Sequence, residues 1–200
     1  MIGIVAPAPV GMPGLVVLLL GLAALAASLL FVRFRRGRQA EAGAQVAGGS
    51  RLGIGLQAAA FLLVALGPLR PTLQAASAAS VGAAVVVAVL AGSCVGIFLS
   101  AVTAMANNWS ITARMRRDQD LVTWGPFAII RHPIYTGLFA MLLAVAVAFG
   151  HWWGLILAIP LFAYGTWIRV REEERLLHAR FGQQYEAYAA RVKRFLPRLF

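Results

Sequence analysis

Long apolar blocks dominate this chain, and its charges fall almost entirely in the gaps between them. A membrane-spanning helix needs about 20 apolar residues. Pro13–Val32 is such a run, and it ends at the basic cluster Arg33, Arg35, Arg36 and Arg38. No positive charge precedes it and the arginines follow it, which is the pattern of an anchor rather than of a signal peptide. Leu52–Leu69 is a second run whose one polar side chain is Gln57. Ser77–Ala106 is a third, rich in Ala, Val and Gly, and small residues suit close helix packing in lipid. The block Ile134–Ile168 holds no Asp, Glu, Lys or Arg and is interrupted at Gly150-His151. It predicts a helical hairpin, Ile134–Phe149 and Trp152–Ile168, with Pro160 inside the second arm. At about 1.5 Å per residue each arm is about 25 Å long, short against a hydrocarbon core of about 30 Å. Such arms thin the bilayer or stop before its far side.

Composition agrees with lipid as the solvent. Of 200 residues, 60% are hydrophobic and 12% charged, where a soluble domain carries about a quarter charged residues. A soluble domain of this size has too little interior for so many apolar side chains. The expected fold class is an all-α integral membrane protein of about five transmembrane helices. The expected organisation is an N-terminal three-helix region, residues 1–106, and a C-terminal region, residues 107–200, within one structural domain. Gly43–Gly49 has the composition of a flexible link, and no segment reads as a strand. Five spans without an internal repeat do not divide into the halves of a transporter.

Net charge is +11, which in a soluble protein suggests nucleic acid. Here the distribution gives a simpler reason. Every Lys and Arg except Arg70 falls on one side of the five-span map, and so does every Asp and Glu. Basic loops face the cytoplasm. The N-terminus is therefore expected outside and the C-terminus in the cytoplasm, with any polar chemistry at the cytoplasmic face. No nucleic-acid partner is expected. Residue usage rich in Ala, Arg, Gly and Val and almost free of Lys suggests a GC-rich bacterial genome, and hence the bacterial inner membrane. Three scattered His and one Cys, Cys94, make no metal set.

Two segments gather polar groups near a membrane edge. In the first, Gly125-Pro126 makes a turn and Pro133 pushes His132 out of the α region, itself suiting the first turn of a helix. Arg131 and His132 thus stand at the mouth of the hairpin, where a helix N-terminus offers free N–H groups to an anion. The same residues suit plain duties: Arg131 reaching lipid phosphate, and His132 capping the helix. The second segment, Arg169 to His178, places Glu172, Glu173 and Glu174 beside a surface that favours basic residues. Surface pairs such as Arg169–Glu173 or Glu174–His178 would account for them. So would a ligand that is cationic or rich in hydroxyls. Beyond lies an amphipathic pattern, Phe181, Tyr185, Tyr188 and Val192, of a helix that packs on the surface or closes over a site.

Taken in order, Gly-Pro-aromatic, Arg-His-Pro-x-Tyr-x-Gly, a hairpin, Arg-x-x-Glu-Glu-x-x-Leu and Phe-Gly-x-x-Tyr-x-x-Tyr resemble the isoprenylcysteine carboxyl methyltransferase family. Phospholipid methyltransferases and other small membrane methyltransferases are similar. Asn108-Trp109-Ser110 and Leu121-Val122-Thr123 fit the same pattern, so the resemblance runs from about Asn108 to the C-terminus. It implies S-adenosylmethionine as cofactor and a lipophilic substrate drawn from the bilayer. It names Arg131, His132, Pro133, Tyr135, Gly137, Arg171, Glu173 and Glu174 around the cofactor, with Arg131, His132 and Glu173 at the chemistry and the C-terminal helix as a lid. Glu172 stands where relatives often carry a basic residue, which leaves the choice within the Glu triplet open. Arg131 suits the cofactor's carboxylate, Glu173 or Glu174 its ammonium or ribose, and Gly137 leaves space for adenine or the methyl donor. His132 is a candidate base should the acceptor be an amine. An alternative is a membrane reductase of the sterol reductase type, using a nicotinamide cofactor whose 2′-phosphate would meet Arg114, Arg116 and Arg117. A scaffold without enzymatic activity is a third reading.

Overall fold

The computed structural model describes residues 7–36, 45–46, 48–105, 114–115 and 120–197. Among them are six helices: α1 (Met12–Arg36), α2 (Gly48–Ala65), α3 (Ala78–Met105), α4 (Pro133–Phe149), α5 (Gly154–Phe181) and α6 (Gln183–Arg191). A short 3-10 turn, Gly125–Ala128, precedes α4. The helices arise where apolar blocks supply side chains to bury, and they end at Gly, Pro and polar clusters. Gly150 closes α4 in the left-handed conformation at φ 70°, which a glycine adopts without strain. The sequence predicts no strand, but two dipeptides pair antiparallel: β1 (Gln45–Val46) lies against β2 (Arg114–Met115). Of the expected flexible link, β1 is thus paired and α2 already begins at Gly48; residues 43, 44 and 47 lie outside the described residues. So do Asn108, Trp109, Ser110, Arg116 and Arg117.

The five long helices alternate in direction. At one end, Ala8 donates its N–H to the Gly150 carbonyl at 3.0 Å, and Val10 donates to Arg70 at 2.9 Å. The N-terminus of α1, the start of α3 and the α4–α5 turn therefore meet there. A ring nitrogen of His151 reaches the Val64 carbonyl at 2.9 Å and adds the end of α2. The β1–β2 pair, the start of α4 and the polar half of α5 lie at the other end, which is the basic one.

Packing is close because glycines sit where helices cross. A Cβ at Gly165 of α5 would lie 2.8 Å from the Gly53 carbonyl of α2, and one at Gly154 would lie 2.8 Å from the Leu63 carbonyl. These contacts seat α2 along α5 over two to three turns. α3 lies against α4 through Cys94 and Gly137, and against α1 through Ala91 and Gly21. α4 is the centre: Gly137, Met141, Leu142 and Ala144 to Ala148 are all buried. The outer surface is the reverse of a soluble protein's. Leu19, Leu20, Phe31, Val85, Val89, Ile156 and Leu157 are each more than half exposed. A continuous apolar exterior of this extent needs lipid or a partner to cover it.

The hairpin differs from the expected pair of short arms. α4 is short, with 17 residues, but α5 runs unbroken for 28 and carries Pro160 without ending. Its apolar half and its charged half are one rod, so the Glu triplet is fixed rigidly to the membrane-type bundle. Among the described residues, two helices are long and apolar enough to cross a membrane unaided, α1 over Met12–Phe34 and α3. The apolar helix stretches Ser50–Ala65 and Pro133–Phe149 are shorter.

Candidate active site

Backbone geometry gathers the site first. Trp124 to Pro126 turn the chain through Gly125 at φ 63°, a conformation open to glycine. The chain then runs alongside the C-terminal tail: Arg131 donates its N–H to Lys193 at 2.8 Å and His132 to Arg194 at 3.0 Å. Pro133 takes the first position of α4, where its missing N–H costs nothing, and His132 stands just before it at φ −125°. Its ring makes no capping bond. It is free for other duty.

That duty is ionic. Glu173 and Glu174 are consecutive on α5, about 100° apart around the helix, and so flank the imidazole from two sides. His132 Nε2 lies 3.2 Å from Glu174 Oε1, and Nδ1 lies 3.6 Å from Glu173 Oε2. The residue is buried, at 6% exposure. Burial alone would lower its pKa. The hydrogen bonds and charges of Glu173 and Glu174 outweigh burial and raise it above its usual 6.5. Carboxylates beside an imidazole favour its protonated form, and a ring that holds its proton more firmly is a poorer general base. His132 therefore sits between two carboxylates that favour its protonated form.

Glu174 is held from three directions. Arg131 Nη2 approaches at 3.1 Å, His132 at 3.2 Å, and Arg194 forks onto both oxygens. Burial would raise the carboxyl pKa, but His132, Arg194 and Arg131 hold it far below the usual range. Arg131 is fixed in turn by donating to the Ala189 carbonyl of α6 at 2.8 Å. Tyr185 lies beside the same group, and burial and the Glu174 charge keep its phenol protonated. Glu173 accepts a hydrogen bond from the Tyr135 hydroxyl. That hydroxyl accepts one from Arg169 Nε at 2.9 Å, and the guanidinium also lies over the Tyr135 ring, 5.1 Å from its centre. α6 packs against the turn before α4, where its Tyr188 donates to the Phe127 carbonyl at 2.7 Å.

The structure thus brings together Arg131, His132, Tyr135, Glu173 and Glu174, with Pro133 buried as the hinge between them. Two other residues take different places. Gly137 is one turn deeper and faces α3, where a Cβ would lie 3.4 Å from the Cys94 carbonyl, so it packs on α3 away from the charge cluster. Arg171 stacks over Trp167 on the exposed side of α5, its guanidinium 4.7 Å from the ring centre. The cluster takes Arg169 instead, because a shift of two residues turns a helix by about 200°. Of the surface pairs expected on α5, Arg169–Glu173 is present at 4.0 Å. Glu174–His178 does not form: His178 pairs with Glu186 of α6 at 2.7 Å, and Glu172 with Arg175 at 2.9 Å. Tyr185, from the amphipathic pattern of the C-terminal helix, and Arg194, which no local motif announced, complete the cluster. Gln57 touches it through Arg169 at 3.4 Å, and its one signal was a lone amide in an apolar run. Among the described residues no His, Cys, Asp and Glu group could hold a metal.

Residues 113–184 match the phospholipid methyltransferase family. The chain is also 31% identical over 109 residues to the protein-S-isoprenylcysteine O-methyltransferase of Schizosaccharomyces pombe (strain 972 / ATCC 24843). That alignment covers 52% of this chain and 46% of the yeast protein, so the chain spans about half the length of the curated relative it matches. Arg131, His132, Tyr135, Arg169, Glu173 and Glu174 all fall inside the matched family segment, whereas Gln57 and Arg194 fall outside it. The C-terminal part of this chain, with the charge cluster at its centre, is therefore similar to the phospholipid methyltransferase family and to an isoprenylcysteine O-methyltransferase.

Proposed function

We propose that the protein transfers a methyl group from S-adenosylmethionine to a lipophilic or membrane-embedded acceptor at the cytoplasmic face of the membrane. The observation that carries this reading is the pair Glu173 and Glu174. They lie among Arg131, His132, Arg169 and Arg194 at the mouth of the α4–α5 hairpin, directly against an apolar bundle. The donor set suits the cofactor. Arg131, whose buried Nε has no hydrogen-bond partner among the described residues, and Arg194 suit a carboxylate; Glu173 and Glu174 suit an ammonium or ribose hydroxyls. The cofactor supplies an electrophilic methyl on sulfonium, whose transfer is an in-line displacement.

Such a reaction asks the protein for alignment and dryness more than for proton transfer. Arg131 and Glu174 fix one edge of the site to α6 and the tail, and Tyr135 and Glu173 fix the other to α4. α6 and the tail pack over Arg131 and Glu174 and leave them only partly open to solvent. The apolar exterior of α1, α3 and α5 supports delivery of the acceptor from lipid. An isoprenylcysteine-like carboxylate, or a small thiol as its thiolate, arrives ionised and needs no base, which suits a site whose carboxylates favour a protonated histidine. A phospholipid amine would have to lose its proton elsewhere. Placement of the basic end at the cytoplasm rests on the positive-inside rule, and the bacterial inner membrane on residue usage.

Calorimetric titration of the purified full-length protein in detergent with S-adenosylmethionine tests the reading, beside Arg131→Ala and Glu173→Ala. Saturable binding in the wild type and none in either variant is expected, with no heat from reduced nicotinamide dinucleotide phosphate. A folded wild type that binds the nicotinamide and not S-adenosylmethionine would overturn it.

A further inference from the structure

The apolar face of α2 contains one amide, Gln57, buried at 5% exposure. A polar group in such a place is costly unless it is paired, and inside a membrane bundle it marks a function. Gln57 is paired twice. Its Nε2 donates to Thr166 Oγ1 of α5 at 2.8 Å, and its Oε1 accepts from Arg169 Nη1 at 3.4 Å. Arg169 donates onward to the Tyr135 hydroxyl at 2.9 Å, and Tyr135 donates to Glu173. A continuous hydrogen-bonded chain therefore runs from α2 through α5 and α4 to the carboxylate at the site. One turn earlier on α2, Gly53 leaves the space for the Arg169 stem: a Cβ there would lie 2.4 Å from Arg169 Cγ. Gly53 and Gln57 together form a seat for the guanidinium, shaped by one and hydrogen-bonded by the other.

We propose that Gln57 is a positioning residue of the active site: by holding Arg169 it sets the orientation of Tyr135 and Glu173. The N-terminal bundle is then part of the site and not only its anchor, although it lies outside the matched family segment. The inference rests on the proposed function, since the orientation of Glu173 is read through cofactor binding.

The test is calorimetric titration of full-length protein in detergent with S-adenosylmethionine, for wild type, Gln57→Leu and Gln57→Glu. Leucine keeps the volume and the helix packing but removes the acceptor. Glutamate still accepts from Arg169 and from the Thr166 hydroxyl. Gln57→Leu is expected to bind about tenfold more weakly, the effect of one hydrogen bond to a charged group, while Gln57→Glu stays within about threefold of wild type. Equal affinity of Gln57→Leu and wild type, or equal loss in both variants, overturns the proposal while leaving the cofactor reading intact. Absence of binding in folded wild type overturns both. Should Gln57→Leu fail to fold, Thr166→Val and Thr166→Ser make the same comparison: valine weakens binding and serine restores it, and an unaffected Thr166→Val overturns the proposal.

Discussion

Arg194 reaches back across the site to take both oxygens of Glu174, with Nη2 2.6 Å from one and Nε 3.0 Å from the other. This fork closes the C-terminal tail over α5, beside the backbone bonds that Arg131 and His132 make to Lys193 and Arg194. Bidentate geometry makes it stronger than an ordinary surface pair, though Arg194 is half in solvent. Arg194→Ala is expected to cost about 1 kcal/mol and to loosen the tail. Trypsin cleavage after Arg191 and Lys193, followed by mass spectrometry, should be several-fold faster in the variant. An unchanged rate would mean that the backbone pairing alone holds the tail.

The two ends of the His132–Glu174 pair respond oppositely to pH. Glu174 has a depressed pKa, so its contribution to stability is complete above its ordinary value of 4.5 and is lost as pH falls below that. His132 has a raised pKa, so its contribution is complete below 6.5 and is lost as pH rises through the folded value. Thermal stability in detergent should therefore be greatest between about pH 4.5 and 6.5 and fall on either side. In His132→Gln the alkaline fall should vanish while the acid fall remains. Melting curves across this range check it, and an alkaline fall of the same size in the variant would remove His132 as its source.

How far the residues themselves foretold this site depends on distance along the chain. Arg131, His132 and Pro133 were legible because a proline-set helix start is a local event. Whether Arg169 or Arg171 joins the cluster is a matter of helical phase, since two residues turn a helix by about 200°. The Glu174–His178 pair failed because α5 breaks at Gly182, and the break folds Glu186 back onto His178. Gln57 meets Thr166 across 109 positions, and no spacing rule relates them. The same holds for Arg194, whose role follows from a tail that pairs with residues some sixty positions earlier. The alternation of the five long helices was legible from hydropathy and charge, whereas the unbroken length of α5 was not, since its second half is polar.

Tyr188 offers a smaller test of how the covering helix is held. Its hydroxyl is buried, burial pushes its pKa up to about 12, and it donates to the Phe127 carbonyl. Tyr188→Phe leaves that carbonyl unpaired, and a loss of about 1 kcal/mol is expected, read as a lower melting temperature. Hydrogen exchange should quicken at α6 and at the Gly125–Ala128 turn together, since one bond joins them. Exchange that quickens at α6 alone would place the turn's stability elsewhere.

Two glycines of α2 separate close packing from helix propensity. At Gly53 a Cβ would lie 2.7 Å from the Gly165 carbonyl and closer still to the Arg169 stem, so the α2 and α5 backbones would have to part. At Gly55, two residues on and facing outward, a Cβ would meet nothing within 4 Å. Alanine is the better helix former at either position by about 1 kcal/mol. At Gly55 that gain stands alone, so Gly55→Ala should be neutral or slightly stabilising. At Gly53 overpacking costs about 1–3 kcal/mol and outweighs it. Gly53→Ala should therefore melt lower than Gly55→Ala in the same detergent. It should also weaken cofactor binding, because the displaced Arg169 carries Tyr135 and Glu173 with it. Equal melting temperatures for the two variants would mean that α2 and α5 can separate freely, and the tight crossing would then play no part in holding the site.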